Sequence, residues 1–391
     1  MFTKNIKFKN FLLRSKKNKI GYILKELLKS ELGVIETLKP TYKYSYSKKV
    51  VSKHKKFKNI RVIGMGGSIL GTKAIYSFLK KKVKKNLIFV DNLNSNAHYF
   101  KDKNINLNLI ISKSGNTLET ISNANTLINN KDKNIIITEN KDSYLVNLAN
   151  ELKSEIVDHK NYIGGRYSVL SEVGMLPAEL MNLSENKFKQ FDQLIKNKKF
   201  INSLIDNVSN TISLLKKGKY TSVILNYDEQ SESLFKWYQQ LIGESLGKKS
   251  KGILPVISSM PKDNHSLMQL YLDGPKKNFY TFFNVLENDL IKIKNKKILK
   301  SHKYLKNKSI ENIKQSQMLA TERVFTSKKI PFRSLVAIKR NEQTLGELFC
   351  FFILETILLG RALNVNPFDQ PSVELIKKET KRTLFKSYYQ K

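Results

Sequence analysis

The chain has 391 residues, 40% hydrophobic and 10% aromatic, which is enough for two packed domains and too apolar for a disordered ground state. Seventy Lys and Arg against 33 Asp and Glu leave a formal charge of +37. The excess is scattered in runs such as KKKVKKN, KNKKFIN and KIKNKKILK rather than gathered in one stripe, which argues against a nucleic-acid partner and for a field that attracts small anions.

The opening stretch MFTKNIKFKNFLLRSKKNKI is basic but has neither the apolar core nor the cleavage site of a secretory signal, so a helical, basic extension is expected over residues 1–45. From residue 59 onward, short β-branched runs alternate with longer amphipathic stretches. NIRVIGM, NLIFVDN, NLNLIIS and NIIITEN read as strands, each followed by turn residues and a helical pattern. Continuous apolar strands separated by helices imply a parallel sheet covered on both faces, here a first α/β domain over 46–185. Connecting helices follow over 182–205, and the alternation restarts with TSVILNY, GILPVIS and NFYTFFNVL, giving a second domain over 205–360. Within it LFCFFILETILLG is too short for a membrane span and contains Glu355, so it reads as a buried core helix with no membrane partner. Cys350 stands alone, which excludes a disulfide framework and points to a reducing compartment, the cytoplasm. Residues 361–391 read as the turn NVNPFDQPS followed by a basic helix.

In open α/β sheets, ligands gather where strands lead into helix N-termini. Two such loops suit an anion. In GMGGSILG, Gly64, Gly66 and Gly67 allow close backbone approach and Ser68 offers a hydroxyl. Ile69 excludes the dinucleotide fingerprint, and the order GTK excludes a Walker A loop; by itself such a turn serves structure as often as ligand. SKSGNTLET is more specific, because Ser112, Lys113, Ser114, Asn116, Thr117 and Thr120 crowd hydroxyls and an ammonium where a phosphate would use them all. Arg166 follows two glycines in GGRYSVL and, taken alone, reads as a surface arginine. The stretch SLFKWYQQLIGESLGKK puts Trp237, Gln240, Leu241, Glu244 and Lys248 on one helix face. A carboxylate beside Trp and Leu is partly desolvated, a setting that suits a general base, but from spacing alone an exposed i, i+4 pair of Glu244 with Lys248 is the plainer expectation. Among the five histidines no pair has metal-ligand spacing, so no metal is expected; His265 lies between turn residues and a helical run.

Taken in order, GMGGSILG, SKSGNTLET, GGRYSVLSEVGMLP, WYQQLIGESLGK, NHSLMQLYLDGP and NPFDQPSVELIK resemble the glucose-6-phosphate isomerase family. The resemblance implies an α/β fold of two sugar-isomerase (SIS-type) domains, each a parallel five-stranded sheet between helices, with a C-terminal turn and helix completing the site. It also implies a homodimer with active sites shared between subunits, and a hexose 6-phosphate substrate handled without a cofactor. The implied activity interconverts glucose 6-phosphate and fructose 6-phosphate by ring opening and a cis-enediol. Carried over residue by residue, Glu244 is the proton-abstracting base, Arg166 faces the developing charge, and His265 and Lys377 serve ring opening with Glu119 supporting His265. Ser112, Lys113, Ser114, Thr117 and Thr120 hold the phosphate; Gly67, Ser68, Gln240 and Gln370 contact the sugar. Asn264, the preceding MPKD and Pro371–Ser372 depart from the family pattern. The SGNT form of the phosphate loop also resembles the dual phosphoglucose and phosphomannose isomerases, and a non-catalytic sugar-phosphate sensor would keep both loops without needing Glu244 or Lys377.

Overall fold

Strands as uniformly apolar as NLII and NIIIT have no wet face, so they must lie inside a sheet covered on both sides. The computed structural model describes residues 2–13, 17–94, 107–129, 132–286, 291–294 and 298–389. Among them, ten strands run in order: β1 (Ile6–Lys9), β2 (Asn59–Gly64), β3 (Asn86–Val90), β4 (Leu107–Ile111), β5 (Lys133–Thr138), β6 (Glu155–Asp158), β7 (Thr221–Asn226), β8 (Leu254–Ser259), β9 (Asn278–Val285) and β10 (Phe332–Ala337). They form two five-stranded sheets, ordered β3-β2-β4-β5-β6 and β8-β7-β9-β10-β1. The first is parallel throughout. The second is parallel except at its edge, where β1 runs antiparallel to β10.

That edge corrects the expectation of a separate N-terminal extension over 1–45. Ile6 is fully buried, and Phe2 and Phe8 pack against Phe351, with Phe2 also on Phe200, so the first residues complete the second domain. The helix Asn18–Lys29 likewise packs on the helices Lys198–Lys216 and Glu342–Ala362. Four residues, IKFK, with lysines at every second position, are too short and too charged to announce a strand.

The apolar stretch around Cys350 is the core helix Glu342–Ala362, buried continuously from Thr344 to Gly360 and packed against the helix Glu232–Leu246. Cys350 is a free, buried thiol whose pKa burial pushes up to about 12, so it is unreactive at neutral pH. No helix among the described residues is long and apolar enough to cross a membrane.

In the first sheet β2 lies between β3 and β4, and Gly64 is in register with Ile111. The chain therefore leaves β2 and β4 side by side at the carboxyl edge, where the strand order reverses. This is where an open α/β sheet leaves a crevice.

Candidate active site

Three segments meet at that crevice through glycine contacts. Gly66 adopts φ +52 in the short helical turn Gly66–Ser68, and a Cβ there would lie 2.7 Å from Gln240 Nε2. A Cβ on Gly67 would sit 2.1 Å from the carbonyl carbon of Gly165. The glycine turn thus brings the Arg166 loop and the helix Glu232–Leu246 together across the domain boundary. Ser68 is buried beside them.

Arg166, 2% exposed, is not the surface arginine its local sequence suggests. Its Nε donates to Ser245 Oγ at 2.8 Å, and its Nη2 donates to the carbonyls of Pro367 at 2.7 Å and Asp369 at 3.0 Å. Nη1 reaches Glu244 Oε2 at 3.2 Å and Gln370 Oε1 at 3.3 Å. A guanidinium has five N–H donors, and here five acceptors face it. The two on Nη1 make the longest bonds, so these are the donors an incoming anionic oxygen would take over most easily. Glu244 also accepts from Gln240 Nε2 at 2.8 Å, while Gln240 Oε1 is buried without a partner. Trp237 is fully buried and donates to the carbonyl of Arg166 at 3.1 Å, so this helix packs against the Arg166 loop.

In the second loop, Ser112 and Thr117 hydroxyls lie 2.8 Å apart, and Ser114 Oγ accepts from the amide of Asn116 at 3.2 Å. Thr117 is the N-cap residue of the helix Leu118–Leu127 without using its side chain as a cap, which leaves first-turn amides open to an anion. Thr120 is buried with its hydroxyl unpartnered, and Glu119 is half-buried on the same turn. Lys113 points away from this group: its Nζ donates to the carbonyl of Asn161 at 2.6 Å and lies 3.6 Å from Glu139.

Two expected members stand apart within the single chain. His265 is exposed on the turn Lys262–His265 and makes no hydrogen bond to the Arg166 group among the described residues. Lys377 is exposed on the helix Val373–Tyr389 and pairs with Glu374 at 2.6 Å. Conversely, Ser245, Tyr167 and the carbonyls of Pro367 and Asp369 support Arg166 without having been singled out by sequence, because backbone acceptors carry no residue signature.

A cavity of about 480 Å³, of metabolite size, opens beside Gln240 between the helices Leu70–Phe78 and Glu232–Leu246. A second cavity of about 680 Å³ lies at the carboxyl ends of β7 and β8. Its lining Asp228 and Glu311 are paired with Arg340 and Lys314.

The family model for phosphoglucose isomerase matches residues 41–387. The glucose-6-phosphate isomerase of Methanocaldococcus jannaschii is 34% identical over 350 residues, covering 82% of this chain and 83% of that protein. That of Acholeplasma laidlawii is 34% identical over 369 residues, covering 86% of each. Among solved structures, a hypothetical protein from Thermus thermophilus aligns with TM-score 0.81 at 21% identity over 94% of each chain. A glucose-6-phosphate isomerase from Chlamydia trachomatis aligns with TM-score 0.73 at 20% identity over 87% of this chain and 72% of that one; both likenesses speak to the fold.

Proposed function

The chain belongs to the phosphoglucose isomerase family and interconverts glucose 6-phosphate and fructose 6-phosphate, and from that premise we propose how its side chains divide the work. The observation that carries the proposal is the Arg166–Glu244 pair, a buried guanidinium 3.2 Å from a carboxylate beside the glycine turn at Gly66 and Gly67.

The phosphate docks on Ser112, Ser114, Thr117 and Thr120, with Lys113 turning from Asn161 to join them. Gly67 and Ser68 line the sugar, and Gln240 and Gln370 hydrogen-bond its hydroxyls. His265 and Lys377 supply the acid and base that open the ring, with Glu119 orienting His265. Glu244 then removes the proton from C2 of the open aldose, the electron pair becomes the C1–C2 double bond, and the C1 oxygen gains a proton. Negative charge on the enediolate oxygens is met by Arg166 Nη1. Loss of the proton on the C2 oxygen and return of the first proton from Glu244 to C1 yield the ketose. The phosphate contacts do not change between these states, so they hold the reacting carbons in place.

Removal of the Thr117 hydroxyl in Thr117→Val takes away one contact to a charged ligand and should raise KM about tenfold or more while kcat stays within about twofold. Steady-state kinetics with fructose 6-phosphate check this, and an unchanged KM would move the phosphate elsewhere.

The working form is a cytoplasmic homodimer in which His265 enters the other copy's site. Its exposure, and its separation from Glu244 within one chain, are what support this. Co-expressing Glu244→Gln with His265→Ala tests it. Each variant alone is nearly inactive, whereas random pairing leaves one intact site in half of the dimers and restores about a quarter of wild-type activity. No recovery would mean that each chain builds its own site.

A further inference from the structure

Lys248 is the residue of the catalytic helix face that the reaction leaves unused. Its spacing predicts an ion pair with Glu244, but the helix ends at Leu246 and the chain turns at Gly247. Lys248 Nζ, on a side chain only 11% exposed, instead bonds Asp369 Oδ1 at 2.7 Å and also donates to the carbonyl of Asn366. Both acceptors belong to the turn that follows the core helix.

This turn is held from several sides. Lys251 Nζ donates to the carbonyl of Leu363 at 2.8 Å, and the hydroxyl of Tyr167 donates to that of Pro367 at 3.1 Å. Residue 369 is gripped twice, its carbonyl by Arg166 Nη2 and its carboxylate by Lys248. Lys248 also keeps the Asp369 carboxyl below the usual carboxylate range, so the pair stays charged at neutral pH. The next side chain is Gln370, whose Oε1 meets Arg166 Nη1. Beyond it the helix Val373–Tyr389 is exposed at every position through residue 386. Within one chain, the course of that helix, and with it Lys377, is therefore governed by the turn from which it departs.

We propose that Lys248 and Asp369 form a positioning pair that straps the turn at 364–370 to the end of the catalytic helix and thereby sets Lys377 for ring opening. The proposal rests on the ring-opening role assigned to Lys377 above. It separates the two halves of the reaction: proton transfer at C2 depends on Glu244 and Arg166, whereas opening of the ring depends in addition on the strap. With the strap cut, the phosphate loop on the first sheet is untouched and substrate still binds.

The experiment reads enzyme-catalysed exchange between the α and β anomers of glucose 6-phosphate by exchange NMR, a process that needs ring opening but no C2 proton transfer. It is run with Lys248→Met and with Asp369→Asn, each in the wild-type and in the Glu244→Gln background. Anomer exchange should fall about tenfold with either substitution, while the dissociation constant for fructose 6-phosphate and the melting temperature stay at their parent values. Lys248→Arg, which keeps the charge, should retain most of the exchange. Unchanged exchange in both variants overturns the proposal, and so does a loss matched by an equal loss of substrate affinity, since that marks a merely structural contact. If Lys248→Met does not fold, the half-exposed Asp369→Asn decides the question alone. Loss of exchange on Glu244→Gln by itself would overturn the division of roles under the proposed function, and the strap would then be judged in the wild-type background.

Discussion

Glu244→Gln should lower kcat for fructose 6-phosphate by about 10²- to 10⁴-fold, the range expected when a general base is replaced by its amide. The substitution keeps the size and planarity of the side chain; its remaining oxygen can still accept from Arg166 Nη1, and its NH2 can donate to Gln240 once that amide turns its unpartnered Oε1 inward. What disappears is the lone pair that takes the proton from carbon. The loop proposed to hold the phosphate follows β4, and none of its described hydrogen bonds reaches Glu244. KM should accordingly stay within about threefold, the pattern of an interaction used mainly in the transition state. Incubation in heavy water gives a second readout. The wild-type enzyme should place deuterium at C2 of the aldose formed from the ketose, diluted by direct return of the original proton, and the variant should slow this labelling by the same factor as kcat. A variant that still turns over at near-normal rate would remove Glu244 as the base and leave Arg166 as an anion holder without a proton acceptor beside it.

The residues around Glu244 also show where sequence reading succeeds and where it stops. β2, β4, β5 and β7 are legible because they are apolar on both faces, which only a covered parallel sheet tolerates. β6 is hidden by Glu155 and Asp158 within four residues, and β10 carries the buried Arg333 at its second position. Helix periodicity puts Gln240 and Glu244 on one face, while their roles rest on the family resemblance. Arg166 and Gln370 meet them through contacts remote in sequence, among them the backbone carbonyls of a turn 200 residues away in the chain, as in the Arg166–Pro367 contact at a separation of 201. Lys248 escapes the i, i+4 rule because the helix stops two residues before it, where Gly247 packs so closely on the Gly243 carbonyl that a Cβ would lie 2.7 Å from it. Lys113 has the composition of a phosphate ligand, yet in the fold a neighbouring carbonyl and Glu139 hold its ammonium. His265 and Lys377 show a different limit, since both stand exposed and apart from the Arg166 group within one chain.

The buried arginine of β10 underlies the largest expected effect on stability. Arg333 and Glu355 are 2% and 1% exposed and form an ion pair between β10 and the core helix Glu342–Ala362. Asn207 bridges them, accepting from Arg333 Nη1 at 2.8 Å and donating to Glu355 Oε1 at 2.6 Å. Tyr238 accepts from Arg333 Nη2 at 3.2 Å and donates to Glu355 Oε2 at 3.1 Å, and Arg333 Nε donates to Thr281 at 2.9 Å. Glu355 is thus the acidic residue that made the apolar stretch unsuitable as a membrane span, and its partner lies on a strand close by in the fold. With such a complete set of acceptors, Arg333 is held above its ordinary pKa despite the desolvation that opposes its charge. Glu355→Leu removes the counter-charge and leaves a guanidinium in the core, which should cost about 3–5 kcal/mol, while Arg333→Met combined with Glu355→Leu removes both charges and should recover most of that loss. Urea unfolding of the two variants checks the ordering. A single variant as stable as the double would mean that water reaches Arg333, and that this network is not a closed electrostatic link between sheet and helix.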